Sequence, residues 1–104
     1  MYLGHMMDAA EKILSYTDDY TYQQFVADDK TYSAVIREIL VIGEAANRVD
    51  KNFQRKHTEI PWVDIISTRN NLIHEYVGIN PDILWKTIQD DIPKLRAGLG
   101  KLLD

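Results

Sequence analysis

The sequence predicts an all-α protein, a compact antiparallel bundle of four principal helices with a short extra helix and a proline-kinked last helix. Apolar residues recur at helical spacing in four segments, and no segment alternates with period two for long. The links between these segments are short, which favours antiparallel neighbours. A chain of 104 residues is the size of one domain with one core. We therefore expect residues 1–104 to form a single helical domain.

The first two elements are predicted from apolar spacing and from a capping motif. The first helix should span about His5 to Tyr16, with apolar residues at positions i, i+4, i+7 and i+8. After a polar stretch, Thr21 and Gln24 match a T-x-x-Q capping box, whose side chains satisfy free N–H groups at a helix start. A short extra helix is therefore expected just after Thr21.

The second long helix is predicted over roughly Thr31 to Phe53. Its apolar positions cover about half of the helical wheel, which is wider than the roughly 100° stripe of a simple amphipathic helix. Gly43, Ala45 and Ala46 are small enough to let another backbone approach closely. Two interpretations stay open: this helix is buried at the centre of its own bundle, or it also contacts a second subunit.

Prolines and glycines mark the limits of the last two helices. Pro61 suits the first position of a helix that continues to about Tyr76, and Gly78 can then form a left-handed cap. Asn80-Pro81-Asp82 places an N-cap, a proline and an acid at the start of the next helix. Pro93 should kink or break that last helix, because it removes a backbone hydrogen bond and crowds the preceding turn.

Composition and charge indicate a cytoplasmic protein without a membrane segment. The chain has no cysteine, and no apolar run reaches the roughly 18–20 residues that span a bilayer. The first 30 residues carry the net charge of −4, whereas Arg48, Lys51, Arg55 and Lys56 form a basic edge that contains one acid, Asp50. The acidic pI argues against a broad DNA-coating surface. The edge either holds RNA phosphates or offsets the dipole at a helix C-terminus.

Arg69 occupies an unusual position in the stretch RNNLIHEY, which spans Arg69–Tyr76. On a helical wheel, the residues within about 60° of Arg69 are Trp62, Ile65, Ile66, Leu72, Ile73 and Tyr76. This places a permanent cation at the centre of an apolar face. A buried guanidinium without a partner is very costly, so it needs a carboxylate or an anionic ligand. One interpretation is a structural ion pair with Glu44 or Glu38, and the other is an anion-binding site.

His74 and Asn70 lie on a neighbouring face of the same helix. His74 is about 140° around from Arg69 and ~7.5 Å along the axis. It follows Asn70 by four residues, so the amide could orient the imidazole. Tyr76 shares the face of Arg69, and one straight helix does not bring all four groups together. The site should therefore lie at a seam between helices or subunits, although His74 taken alone also fits an ordinary surface histidine.

No metal site or cofactor is predicted. His5 and His57 show no metal-ligand spacing with His74. The sequence also lacks a glycine-rich phosphate loop, a nucleophile elbow and an H-E-x-x-H motif.

The pattern Arg-x4-His-x-Tyr, formed by Arg69, His74 and Tyr76, resembles the signature of HEPN domains of the HepT-like toxin family. The resemblance extends to the sequence around the motif. It includes AVIREILVIGEAANRV (34–49), IPW (60–62) and WKTIQDDIPKL (85–95). Arg-x4-His alone is a weak pattern, but with these segments in the same order the resemblance becomes specific.

This resemblance implies a HEPN bundle that forms a homodimer, with its motifs facing a shared cleft, and that cleaves RNA as a metal-independent endoribonuclease. It implies that Arg69 and His74 are catalytic and that Asn70 supports them. In this family the toxin is paired with an MntA-like minimal nucleotidyltransferase antitoxin. The antitoxin neutralises its toxin by transferring AMP to the motif tyrosine, which is Tyr76 in this chain.

The residue types suit metal-free RNA cleavage. A histidine exchanges protons near neutral pH, and Arg69 offers fixed donors to phosphate oxygens as charge develops. AMP on Tyr76 would add bulk and negative charge where the RNA phosphate binds. One alternative is a non-catalytic HEPN dimer that serves as a binding module for a nucleotidyltransferase partner or a nucleotide. Another is a helical dimer in which Arg69 makes only a structural ion pair.

Overall fold

The computed structural model describes residues 2–74 and 80–103, which form seven α-helices and one π-helical turn. The elements are α1 (Tyr2–Tyr16), α2 (Tyr22–Ala27), α3 (Asp29–Arg48), α4 (Lys51–Lys56), α5 (Trp62–His74), α6 (Pro81–Lys86), the π-helical turn (Thr87–Asp91) and α7 (Ile92–Leu103). The described residues contain no β-strand, so the predicted all-α class is confirmed. None of their helices is long and apolar enough to cross a membrane. The predicted helix end at Tyr76 and the Gly78 cap lie outside the described residues.

Four long segments form the bundle: α1, α3, α5, and α6–α7 with its π-helical turn. Helix α3 packs between α1 and α5, and α7 packs on α1. Glu11 contacts Arg96 at 3.3 Å, and a Cβ built on Gly100 would lie 3.9 Å from the end of Met7. These two pairs show that α1 and α7 run antiparallel, as the short links predict.

Helix α2 is the short extra helix that the capping box predicts. The hydroxyl of Thr21 accepts the backbone N–H of Gln24 at 3.2 Å, and the Gln24 side chain accepts the N–H of Thr21 at 2.9 Å. The helix carries Phe25, which is fully buried and packs its ring against Tyr32 and Trp85, with ring centres 5.0 and 5.4 Å away. The prediction is confirmed, and this helix supplies one of the largest core residues.

The second long helix ends earlier than predicted. It stops at Arg48, and Asp50 caps the separate helix α4 by accepting the N–H of Phe53 at 3.3 Å. The side-chain amide of Gln54 donates to the carbonyls of Ala46 and Val49 at this break, and the Ala46 carbonyl also accepts the N–H of Val49 at 3.2 Å. The prediction of one helix to Phe53 was therefore wrong, because an aspartate N-cap starts a new helix within an otherwise continuous apolar pattern.

Pro93 is accommodated by the π-helical turn that joins α6 to α7. In this wider turn the N–H of Ile92 bonds to the carbonyl of Thr87, five residues earlier. The turn moves the carbonyl that a proline ring would otherwise crowd. The predicted interruption after Asp91 is confirmed in position, since α7 begins at Ile92.

Candidate active site

Arg69 lies at the seam between α5 and α3, where its stem rests on Gly43. A Cβ atom built on Gly43 would overlap Cβ and Cγ of Arg69 and would lie 3.4 Å from its Cδ. Glycine therefore leaves the space that the aliphatic part of the arginine occupies. The charged end remains closer to the surface, and the side chain is 22% exposed.

The guanidinium of Arg69 is held by two oxygen atoms. Nη2 donates to Oε2 of Glu44 at 2.6 Å, and Nη1 donates to Oδ1 of Asn70 at 2.8 Å. Oε1 of Glu44 also accepts from Nε of Arg48 at 3.0 Å. The pKa of Glu44 is lowered, first by its hydrogen bond with Arg48 and then by the charges of Arg48 and Arg69, although partial burial opposes this. One carboxylate thus joins two arginines, and the cluster of three keeps a positive charge.

The ion pair that the sequence offers as one interpretation is present, and its acid is Glu44. Glu38, the other candidate, is buried elsewhere on α3, and the described residues show no ion pair between it and Arg69. Because Glu44 is shared with Arg48 and is itself 45% exposed, it does not neutralise both arginines. The arrangement is therefore compatible with a structural pair and with the binding of an anion.

The apolar face of α5 is centred away from Arg69. Thr68 and Leu72 are buried, whereas Ile73 is 44% exposed. Thr68 tolerates burial because its hydroxyl donates to the carbonyl of Asp64 at 2.9 Å. The prediction that Arg69 stands at the centre of the apolar stripe was wrong, since it lies at one edge, against α3.

His74 is exposed at the end of the described part of α5. Asn70, one turn earlier, is half-buried, and its side-chain oxygen accepts from Arg69. No hydrogen bond joins Asn70 to His74, although both residues are described. The hydrogen bond that the sequence suggested between them is therefore absent, and the Asn70 side chain is hydrogen-bonded to the arginine instead of the imidazole. Tyr76 lies outside the described residues.

The side chains of Asn70 and His74 share an exposed face of α5 that continues toward the start of the helix. Val63, Ser67, Asn70 and His74 follow the spacing i, i+4, i+7 and i+11, so they share one side. All four are exposed or half-buried. Arg69 is not on this face: it lies about 140° around the helix from His74 and ~7.5 Å along the axis, so one copy of α5 presents the imidazole and the guanidinium on different sides.

Two features of the site went beyond the sequence-based prediction. Gly43 was recognised as a position of close approach, but its contact with Arg69 was not predicted. A glycine within a helix lowers stability by roughly 0.5–1 kcal/mol relative to alanine. The presence of Gly43 in the predicted helix was therefore a signal of a packing role. Arg48 was interpreted only as part of a basic edge, and it also shares Glu44 with Arg69.

Among residues 2–74 and 80–103, no cluster of three or more histidine, aspartate or glutamate side chains could hold a metal ion.

Comparisons with known proteins agree with the motif. The family model described as Ribonuclease HepT-like matches residues 6–102. A relative from Thermococcus cleftensis, named "Probable ribonuclease HepT", is 41% identical over 97% of this chain and 92% of its own. A relative from Caldanaerobacter subterraneus subsp. tengcongensis, named as a candidate RNase, is 35% identical over 98% of this chain and 91% of its own. No solved structure matches the chain. The resemblance found in the motif is thus confirmed: this chain belongs to the ribonuclease HepT-like family of HEPN domains.

Proposed function

We propose that this protein is a cytoplasmic, metal-independent endoribonuclease and the toxin of a toxin–antitoxin pair. Family membership supports RNA as the substrate, because the relatives are named as ribonucleases. The observation that carries the proposal is the Arg69 guanidinium, which is held at the α3–α5 seam with part of its surface open to solvent. His74 is exposed on the same helix and supplies a group that can carry a proton.

Each side chain of the site has a defined role in this proposal. In RNA cleavage the 2′-oxygen gives up its proton and bonds to phosphorus, the bond from phosphorus to the 5′-oxygen breaks, and that oxygen takes a proton. Negative charge builds up on the phosphate oxygens in this step, and a 2′,3′-cyclic phosphate remains. His74 exchanges the protons, Arg69 binds the phosphate oxygens, and Asn70 keeps the guanidinium in place. One imidazole cannot be base and acid at the same moment, so a homodimer that brings a second copy of the motif to the cleft would complete the site.

The proposed regulation acts on Tyr76. An MntA-like nucleotidyltransferase would transfer AMP from ATP to its hydroxyl, two residues after His74 in the chain, as the hydroxyl gives up its proton and pyrophosphate leaves. The added phosphate would repel the RNA phosphate that Arg69 binds. Incubation with such an enzyme and ATP should add AMP to the unmutated protein and to the His74→Ala variant. The Tyr76→Phe variant should stay unmodified and active, and modification of Tyr76→Phe would place the acceptor elsewhere.

RNA cleavage by matched histidine variants tests the catalytic assignment. His74→Ala should lower the cleavage rate by roughly 10²–10⁴-fold, the usual contribution of a general acid or base. His5→Ala is the control, because His5 is an exposed histidine on α1. Cleavage should also persist with a chelator present. Cleavage by His74→Ala at the unmutated rate would refute the role of His74, and loss of activity with chelator would refute metal independence.

The Arg69–Glu44 ion pair favours one alternative, a non-catalytic HEPN dimer. In that case the dimer would serve as a binding module for a nucleotidyltransferase partner or a nucleotide, and Arg69 would be occupied by Glu44. Expression without the partner would then leave growth unaffected, and purified protein would not cleave RNA. The ribonuclease proposal predicts growth arrest under the same conditions, with relief by His74→Ala.

A further inference from the structure

A groove lies between α4 and the first turn of α5, beyond the candidate active site. Its volume is about 440 Å³, within the range of roughly 300–1,000 Å³ that ligand sites occupy. Helix α4 contributes Lys51, Gln54 and Arg55, which share one helix face because they are three and four residues apart. Trp62 and Val63 line the opposite side, and Val63 is 77% exposed. We call this surface the α4 groove.

Across residues 2–74 and 80–103, no carboxylate pairs with the cations of the α4 groove. Within the described part of the chain, the arginines that pair with a carboxylate are Arg48, Arg69 and Arg96. Over the same residues, Lys51 and Arg55 make no such pair, and Arg55 donates only to the neutral side chain of Asn52, at 2.6 Å. Among the described residues that line the groove, Asp64 is the one acid. The described lining thus carries two cations and one acid, a net charge of +1 in a protein whose net charge is −4, and this favours a negatively charged occupant.

The α4 groove lies in line with the candidate active site. Val63 belongs to the same exposed side of α5 as Ser67, Asn70 and His74. With a rise of 1.5 Å and a turn of 100° per residue, Val63 is about 9 Å along the axis and about 120° around from Arg69, and ~16.5 Å along the axis from His74. An extended chain bound along this side of α5 would therefore contact the groove, Asn70 and His74, and Asn70 is hydrogen-bonded to Arg69.

We propose that the α4 groove is a second contact site for single-stranded RNA. It holds the strand a few nucleotides away from the phosphate at Arg69, so this inference rests on the proposed ribonuclease function. Lys51 and Arg55 bind phosphate oxygens, and the exposed Val63 packs against a base. Phosphate contacts of this kind position a strand without reading its sequence, so the groove raises affinity for RNA in general.

Binding of an RNA that cannot be cleaved tests the groove without relying on catalysis. The probe is a fluorescent, fully 2′-O-methylated single strand long enough to span α5. The double variant Lys51→Gln/Arg55→Gln should bind it roughly tenfold more weakly at low salt. The slope of log K against log salt should also become shallower by about 0.7 for each lost phosphate contact, or about 1.4 for two. Lys30→Gln/Lys101→Gln removes two exposed lysines elsewhere and should leave both values unchanged.

A second variant and a kinetic comparison extend the test. Val63→Glu places a negative charge at the groove and should also weaken binding of the probe. With cleavable RNA, the double variant should raise KM for a long strand and leave a dinucleotide substrate unaffected, because a dinucleotide does not reach the groove.

Unchanged affinity and salt slope in Lys51→Gln/Arg55→Gln would overturn the inference. An equal loss of affinity in Lys30→Gln/Lys101→Gln would do the same. So would a Lys51→Gln/Arg55→Gln protein that binds RNA normally but no longer self-associates or binds a protein partner. Failure of the ribonuclease proposal would give a different result. The unmutated protein would then bind the methylated probe but would not cleave unmodified RNA.

Discussion

Gly43 of α3 and Arg69 of α5 are in direct contact, and this contact determines how closely the two helices approach at the candidate active site. The missing side chain of Gly43 leaves room for the arginine stem. Glu44, the next residue of α3, binds the guanidinium at 2.6 Å. Two consecutive residues of one helix therefore position both ends of a single arginine on another.

The Gly43→Ala variant should be less stable than the unmutated protein. The new Cβ would meet Cβ and Cγ of Arg69. Because Cβ is bonded to the backbone of α5 and no rotamer change moves it, the helices must separate. Overpacking of this kind costs about 1–3 kcal/mol. Urea unfolding measures the loss, and RNA cleavage should fall with it because Arg69 is displaced.

Gly4→Ala is the matched control for this substitution. Gly4 also lies in a helix, but a Cβ there meets nothing within 4 Å. Alanine should raise stability at Gly4 by up to about 1 kcal/mol, since it has the higher helix propensity. If both alanine variants were equally stable, the contact between Gly43 and Arg69 would have no energetic importance.

The Arg69→Ala variant should fold and lose activity. Its removal leaves Glu44 paired with Arg48 and 45% exposed, so no buried charge is left without a partner. We expect a stability loss of about 1–2 kcal/mol from the packing of the arginine stem. Cleavage should fall by roughly 10²–10³-fold, as when one donor to a transition-state oxyanion is removed. Arg37→Ala, an exposed site on α3, is the control. An unfolded Arg69→Ala protein would instead support a purely structural role.

The Asp50→Ala variant should weaken the start of α4. Asp50 accepts the N–H of Phe53, and loss of an N-cap of this type costs about 0.5–2 kcal/mol. Asp50→Asn keeps an oxygen acceptor and should retain most of the stability. Urea unfolding compares the two variants. Equal stability of Asp50→Ala and the unmutated protein would show that the cap does not determine where α3 ends and α4 begins.

Asp28 should make the fold sensitive to acid. Its carboxylate accepts from the hydroxyl of Tyr20 and from the hydroxyl and N–H of Thr31, and these bonds lower its pKa from 3.8 to about 2. A lowered pKa in the folded state means that the contribution is present above pH 3.8 and is lost as pH falls through about 2.

The Asp28→Asn variant carries no titrating carboxylate, so this part of the acid sensitivity should disappear. Urea midpoints at about pH 5 and about pH 2 should therefore differ less for Asp28→Asn than for the unmutated protein. Asp8→Asn, an exposed site on α1, should behave like the unmutated protein. Equal pH sensitivity of Asp28→Asn and the unmutated protein would contradict the assignment.

The sequence by itself determined the features that depend on neighbouring residues. The capping box at Thr21, the helix start at Asn80 and the interruption before Pro93 each involve groups within one or two turns, so their chemistry can be read locally. The motif with Arg69 and His74 was also visible in the sequence, because the family resemblance covers most of the chain. These signals were sufficient for the fold class and the family.

Only the tertiary structure decided how those elements meet. Arg69 and Glu44 are 25 residues apart, and no local pattern distinguishes Glu44 from Glu38 as the partner. The helical wheel misplaced the centre of the α5 apolar face, because the buried side of a helix depends on which neighbours pack against it. It also depends on whether a polar residue such as Thr68 can hydrogen-bond its hydroxyl within the helix. In the sequence, Arg69 looks like one misplaced cation in a core helix. In the structure it lies at the seam between α3 and α5, where the absent side chain of Gly43 makes room for it.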